Sequence, residues 1–140
     1  MTLYILDSDH LSLYQRGHKS LDQRLLTVPP DQIAITVISA EELIRGRLAQ
    51  IRKATKSQQR VYAYHWFKRR LEFLRDFKVL SYDAQAEIYF QSFLTQKIRI
   101  GTQDLKIAAI VLSKEAILIT RNRQDFECVT GLTIEDWSIL

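Results

Sequence analysis

The sequence predicts an α/β domain, with a short and mainly parallel central sheet and a layer of helices on each face, because strand-like and helical segments alternate along all 140 residues. The first strand signal is the run Leu3-Tyr4-Ile5-Leu6, four apolar residues typical of a buried strand. The second is the continuous apolar run over 116–120 after a helical segment, as expected for a central parallel strand. The length fits a single domain over 1–140.

The other elements follow from local signals. A helix is predicted over 8–15, and a second helix over 20–26 ends before Pro29-Pro30, which cannot continue it. The β-branched stretch 32–38 predicts a strand, and Ser39-x-x-Glu42 fits a capping box for the helix after it. The remaining predicted elements are a helix over 58–77, a strand over 78–80, a helix over 83–94, a helix over 104–114 capped by Thr102, and an edge strand over 131–134.

Positive charge is concentrated in a basic helical segment at about 45–77. Between Arg45 and Arg75 there are ten Lys or Arg residues and one acid, whereas the whole chain has a net charge of only +4. Such a segment suits a polyanion such as nucleic acid, although a solvated helical hairpin has a similar composition.

The helix over 58–77 carries two apolar stripes, so it needs two packing partners: either a second protein or two layers of its own domain. One stripe is formed by Val61, Tyr64, Phe67, Leu71 and Leu74, and the other by Tyr62, Trp66, Phe73 and Phe77.

Acidic and amide side chains follow several of the predicted strands. Each has a structural explanation as a helix cap or turn residue, and Asp9 or Ser8 is the expected cap of the first helix. Right-handed crossovers, however, place the carboxyl ends of parallel strands on one rim, where several carboxylates would repel one another. A divalent cation removes that repulsion, and ligands with oxygen alone favour Mg²⁺ or Mn²⁺. The residues expected on this rim are Asp7, Asp9, Glu41, Glu42, Asp104, Asn122 and Asp125.

The sequence lacks the motifs typical of zinc sites, nucleoside triphosphate binding, disulfides and membrane spans. The three histidines have no HxxxH spacing and no cysteine partner, which argues against zinc. There is no GxxxxGK[ST] loop for a nucleoside triphosphate. The single Cys128 permits no internal disulfide, and no basic leader or membrane-length apolar run is present, so we expect a cytoplasmic protein.

Taken together, these residues resemble the PIN-domain ribonucleases, specifically the VapC toxins of bacterial toxin–antitoxin pairs. The resemblance extends in order from Leu3 to Trp137. The motifs that carry it are Leu6-Asp7-Ser8-Asp9-His10-Leu11-Ser12, Ser39-Ala40-Glu41-Glu42-Leu43-x-x-Gly46, Gly101-Thr102-Gln103-Asp104-Leu105, Thr120-Arg121-Asn122-x-x-Asp125-Phe126 and Gly131-Leu132-x-x-Glu135-Asp136-Trp137.

The resemblance implies a three-layer PIN-like fold and Mg²⁺-dependent endonucleolytic cleavage of RNA by a metal-activated water. The family's first three acids fall on Asp7, Glu42 and Asp104. In the fourth position, either Asn122 completes the site as a neutral ligand or Asp125 contributes through water.

Further implied contributions come from the surroundings of the site. Ser8 and Thr120 are candidates for supporting hydroxyls, and Asp9 for an outer position. The resemblance also implies a homodimer and a VapB-like antitoxin. The RNA-binding candidates are Arg45, Arg47, Lys68, Arg69 and Arg70, and those for a protein interface are Tyr62, Trp66, Phe73 and Phe77.

Two other functions fit parts of the pattern. An Asp-x-Asp after the first strand also occurs in haloacid-dehalogenase phosphatases, although Lys114 and Asp125 are poor substitutes for the later lysine and acidic pair of those enzymes. A non-catalytic RNA-binding PIN module would keep the fold and the basic segment.

Overall fold

The computed structural model describes residues 1–139 and contains a five-stranded sheet. Its strands are β1 (Tyr4–Leu6), β2 (Ile33–Thr36), β3 (Lys78–Leu80), β4 (Ile117–Ile119) and β5 (Thr133–Glu135). They lie in the order β3-β2-β1-β4-β5, and every neighbouring pair is parallel. The chain therefore builds outward from β1 in one direction and then adds β4 on the other side of β1, which creates a switch point between these two strands.

Seven α-helices surround the sheet in the described part of the chain. They are α1 (Ser8–Arg16), α2 (Lys19–Leu26), α3 (Val37–Lys53), α4 (Ser57–Arg75), α5 (Ala84–Thr95), α6 (Thr102–Ser113) and the single turn α7 (Arg123–Phe126). The basic helical segment thus covers the C-terminal half of α3 and all of α4, and the two helices pack against each other as a hairpin.

The strands bury both faces because alternate side chains enter two separate cores. On one face Ile5, Ala34 and Leu118 pack with the apolar residues of α5 and α6. On the other face Leu6 and Ile119 pack with residues of α1 to α4. The predicted three-layer α/β/α architecture is therefore confirmed.

Two predicted helix caps are wrong, Ser39 for α3 and Thr102 for α6. The strand predicted over 32–38 ends at Thr36, because the Thr36 hydroxyl accepts the Ser39 backbone N–H at 3.1 Å and begins α3. Ser39 is consequently not the cap, and the predicted Ser39–Glu42 capping box does not form. Thr102 is the first residue of α6 rather than its cap, which is Gly101 with no side-chain bond.

No helix in residues 1–139 has the length and apolar character needed to span a membrane.

Candidate active site

Asp7 lies at the end of β1, beside the switch point between β1 and β4. Its backbone N–H donates to the carbonyl of Ile119 at 3.0 Å, and its side chain is almost fully buried. Its Oδ1 accepts the backbone N–H of His10 at 2.9 Å, so Asp7 is itself the N-cap of α1. The expectation that Asp9 or Ser8 caps this helix is wrong: Ser8 and Asp9 form its first turn, and Asp9 is exposed.

Glu42 reaches the same rim from the second turn of α3. The Ser8 hydroxyl donates to Glu42 Oε1 at 2.7 Å and lies 3.1 Å from the Ser39 hydroxyl, which ties α1 to α3. This contact explains why Glu42 has no capping role, since its carboxylate points across to α1. The supporting role predicted for Ser8 is therefore compatible with the geometry.

The neighbouring Glu41 has different surroundings. It is exposed and accepts hydrogen bonds from Arg45 at 2.6 Å and from the Gln103 side chain at 3.0 Å. The Gln103 hydrogen bond is the main reason that the pKa of Glu41 lies below its usual range, with Arg45 adding to the effect. Glu41 is thus a surface carboxylate whose charge is balanced by Arg45, and Glu42 is the better candidate for the site.

Asp104 shows that the acids converge. It lies in the first turn of α6, and burial is the largest cause that raises its pKa from 3.8 to about 6. The negative charges of Glu42, Asp7, Asp125 and Asp9, in that order, raise the pKa further. Such Coulombic effects require proximity. The fold therefore brings together the five carboxylates that the sequence placed in four separate motifs.

The loop after β4 supplies the remaining predicted residues. Thr120 is buried, and its hydroxyl accepts the Asn122 backbone N–H at 2.9 Å. The Asn122 amide donates to Asp125 Oδ2 at 3.1 Å, so these two side chains form one unit. Asp125 is the member whose charge acts on Asp104, while Asn122 orients it.

The candidate ligand atoms are of the type that magnesium and manganese ions prefer. All of the candidate ligands are oxygens, and burial together with their mutual repulsion raises the pKa of Asp104. Within residues 1–139, no three His, Cys, Asp or Glu side chains form a ready-made metal cage. Magnesium does not require one, because it usually retains several waters and binds through one or two carboxylates together with substrate phosphates.

The predicted RNA-binding cations do not form one group. Arg70 is tied into the fold, where its guanidinium donates to the Gln15 side chain at 2.9 Å and to the Leu43 carbonyl at 2.8 Å. Burial is the main cause that lowers the pKa of Arg70. Arg47 donates to Gln50 and lies over the Trp66 ring. Arg45 is exposed but pairs with Glu41, and Lys68 and Arg69 are exposed.

The predicted protein-interface aromatics separate into two pairs. Tyr62 is exposed, and Trp66 is half-buried beneath Arg47. Phe73 and Phe77 pack beside Tyr14 at the C-terminal end of α4 and line a cleft of about 870 Å³. The cleft lies between α1, α2 and α4 at the amino ends of β2 and β3, at the opposite edge of the sheet from Asp7. Its walls come from three separate segments, 14–15, 22–33 and 73–78, so spacing along one helix could not predict it.

His10 was also missed as a functional candidate. It is fully buried, with its Nδ1 atom 3.3 Å from Asp7 Oδ1. Its Nε2 atom accepts the backbone N–H of Trp137 at 3.3 Å. The spacing of three residues between Asp7 and His10 was a usable signal, because such residues face each other in a first helical turn.

Comparison with known proteins agrees with this geometry. The family model described as PIN domain matches residues 4–131. A protein of Salmonella typhimurium named tRNA(fMet)-specific endonuclease VapC is 31% identical over 110 residues, which cover 76% of each chain. A protein of Haemophilus influenzae named Ribonuclease VapC1 is 27% identical over 97% of this chain and 98% of its own length.

Solved structures show the same fold. The structure of VapBC-1 from nontypeable Haemophilus influenzae includes a chain with a TM-score of 0.69 and 26% identity, matched over 99% of this chain and 100% of that one. The DNA-bound VapBC structure from Salmonella typhimurium gives a TM-score of 0.75 at 24% identity, over 98% and 99% of the two chains. With the family model covering most of the chain and two nuclease relatives matched over most of their length, this chain belongs to the PIN-domain family, in its VapC group of nucleases.

Proposed function

We propose that this chain is an Mg²⁺-dependent endoribonuclease and the toxin of a toxin–antitoxin pair, in which Asp7, Glu42 and Asp104 hold the metal ion. The single observation that carries the proposal is the convergence of other carboxylates on the half-buried Asp104, whose pKa is raised to about 6 by burial and by these charges. A protein gains nothing in stability from such repulsion, and perturbed carboxyls in a crevice are typical of functional sites. A bound cation offsets the repulsion, because each carboxylate is then attracted to the same positive charge.

The neighbouring side chains have supporting roles. Ser8 donates to Glu42 and fixes one of its oxygens, while Asp7 is held by the start of α1. Asn122 donates to Asp125 and orients that carboxylate toward Asp104. When bound, the metal ion supplies a lowered pKa for water and neutralises charge on the phosphodiester. The chain's own contribution is a rigid, negatively charged crevice that selects and orients the ion.

RNA is the proposed substrate. The Salmonella relative is named as an endonuclease specific for tRNA(fMet), and the Haemophilus relative as a ribonuclease. The exposed cations of α4, including Lys68 and Arg69, offer phosphate contacts along the hairpin. Arg70 is omitted from this surface because its donors are used within the fold.

A VapB-like antitoxin is the proposed protein partner. Support comes from the similarity to a chain of the VapBC-1 structure. The cleft lined by Phe73, Phe77 and Tyr14 gives a partner segment an apolar surface to cover. A homodimer in the cytoplasm remains part of the proposal.

The direct test is cleavage of RNA by the purified chain. We expect cleavage with Mg²⁺, loss of cleavage with a chelator, and recovery when Mg²⁺ is restored in excess. The variants Asp7→Asn and Asp104→Asn should be inactive while remaining folded, because Asn preserves the size of each side chain. Cleavage that survives both substitutions would show that the acidic crevice is not the catalytic centre.

The same assay decides against the alternatives. A non-catalytic RNA-binding module would bind RNA with Mg²⁺ and leave it intact. A phosphatase of the haloacid-dehalogenase type would instead hydrolyse a chromogenic phosphate monoester, and the match to the PIN family gives that alternative no support. Induction of the chain alone should arrest growth, and the Asp104→Asn variant should not.

A further inference from the structure

We propose that His10 is a positioning residue that holds the Asp7 carboxylate in its ligating orientation and makes this orientation depend on the C-terminal segment Asp136-Trp137. The proposal rests on the proposed function, since it takes Asp7 as a metal ligand. It assigns a role to two parts of the sequence that the catalytic scheme leaves unused: a fully buried histidine and the Asp136-Trp137 motif.

The hydrogen-bond donors around His10 determine which ring nitrogen carries the proton. The backbone N–H of Trp137 lies 3.3 Å from Nε2 and can only donate, so Nε2 is the acceptor. The donor nitrogen of the ring is then Nδ1, which faces Asp7 Oδ1 at 3.3 Å and donates to it. Trp137 therefore selects the form of His10 that can hold Asp7.

Asp136 lies beside the ring but makes no hydrogen bond to it. Its Oδ1 lies 3.5 Å from His10 Nε2, but it already accepts the Ser138 backbone N–H at 2.9 Å and the Ser138 hydroxyl at 2.6 Å. These two bonds fix the turn that presents the Trp137 N–H to the ring. Asp136 thus acts as an anchor for the segment.

Trp137 is itself firmly anchored. Only 3% of the residue is exposed, and its indole N–H donates to Glu135 at 2.9 Å. Its ring packs against Tyr4 of β1 with 5.1 Å between centroids, while the Arg24 guanidinium lies over it. Since β1 ends at Asp7, the same strand carries the carboxylate and the surface on which its support is built.

The two oxygens of the Asp7 carboxylate therefore have different hydrogen-bond partners. Oδ1 receives both the backbone N–H and the Nδ1 proton of His10. Among the described residues, Oδ2 has no protein hydrogen bond and is the oxygen left for a cation. Hydrogen bonds to a ligating carboxylate from outside the ligand set are a common way of fixing its orientation, and their loss costs about 10- to 100-fold in metal affinity or activity.

A matched pair of substitutions tests this role. In His10→Asn the amide nitrogen can take the place of Nδ1 and donate to Asp7, whereas in His10→Gln the amide reaches toward Trp137 and the donor at the Nδ1 position is lost. We expect His10→Gln to weaken Mn²⁺ or Mg²⁺ binding, measured by calorimetry without RNA, by about 10-fold or more. His10→Asn should stay within a few-fold of wild type. In cleavage assays, His10→Gln should lower kcat and leave the KM for RNA unchanged.

Phe93→Leu is the control for a purely structural role. Phe93 is buried in the core on α5, which carries none of the site residues, so the variant should lower Tm without changing metal affinity. If metal affinity instead follows Tm across the three variants, His10 is only a packing residue and the proposal is wrong.

Further results separate the role of His10 from folding defects and from the proposed function. If His10→Gln does not fold, nitrogen NMR of the wild-type imidazole decides: a proton on Nδ1 agrees with the proposal, and a proton on Nε2 refutes it. If the wild type cleaves RNA and binds metal, but His10→Gln behaves identically, only the role of His10 fails. A wild type that neither binds metal nor cleaves RNA overturns the proposed function as well.

Discussion

Replacing Asp104 with Asn should make the metal-free protein more stable at neutral pH, although it removes a proposed catalytic group. The pKa of Asp104 is raised from 3.8 to about 6, and two pKa units correspond to about 3 kcal/mol at most. Water reaches part of this carboxyl, and a charge in the first turn of α6 gains some energy from the helix dipole. Both reduce the effect, so we expect a gain of about 1 kcal/mol, or about 3 °C in Tm.

The stability gained by Asp104→Asn should depend on pH. Between about pH 4 and 6, the folded wild type binds the Asp104 proton more tightly than the unfolded chain does, so wild-type stability falls as pH rises through this window. Below the unfolded pKa both states are protonated and this cost is absent. The stability difference between Asp104→Asn and wild type should therefore be small near pH 4, grow through pH 6, and level off above pH 7.

Denaturant unfolding with and without Mg²⁺ is the assay. Glu41→Gln is the control, because Glu41 lies on the same rim with its pKa lowered by Gln103 and Arg45, and its loss should not stabilise the protein. Mg²⁺ should raise the stability of wild type and of Glu41→Gln but not of Asp104→Asn. An Asp104→Asn variant less stable than wild type at pH 7.5 without metal would refute the convergence of charge.

Five other substitutions, at four positions, test separate parts of the structure. Asp7→Asn should lose RNA cleavage yet keep its Tm, since Asn is also a good N-cap, whereas Asp7→Ala should cost about 1 kcal/mol more in unfolding free energy. Gly46→Ala should stabilise the protein by about 0.5–1 kcal/mol in denaturant unfolding, because this helical position is exposed and a Cβ there has no neighbour within 4 Å. Arg70→Ala should lower Tm through loss of its contacts to Gln15 and Leu43, while Arg69→Ala should leave Tm unchanged and reduce the salt dependence of RNA binding.

The sequence predicted the order of elements and the identity of the acids because both depend on local patterns. Apolar runs marked the buried strands, and parallel strands place the residues that follow them on one rim. Glu42 follows β2, whereas Asp104 opens the helix that leads into β4, and the resemblance to the PIN-domain family identified both as members of one site. The structure adds the charge coupling between them, which only three-dimensional distances can establish.

The errors arose where a side chain acts outside its own segment. Ser39-x-x-Glu42 has the spacing of a capping box, but the nearby Ser8 hydroxyl competes for Glu42, and Thr36 caps the helix instead. Arg70 looked like part of a basic surface, but its partners come from α1 and α3. Pairings of this kind cannot be inferred from spacing along one helix.

The neighbours Glu41 and Glu42 allow a direct test of whether the cluster of acids around Asp104 is the catalytic centre. Glu42 faces the crevice and acts on Asp104, whereas Glu41 points to Arg45 and Gln103. Cleavage of one RNA by the purified Glu42→Gln and Glu41→Gln variants, at saturating Mg²⁺, compares two carboxylates one residue apart. We expect kcat to fall at least 100-fold for Glu42→Gln and to stay near wild type for Glu41→Gln. Equal activity of the two variants, or a larger loss for Glu41→Gln, would contradict this expectation.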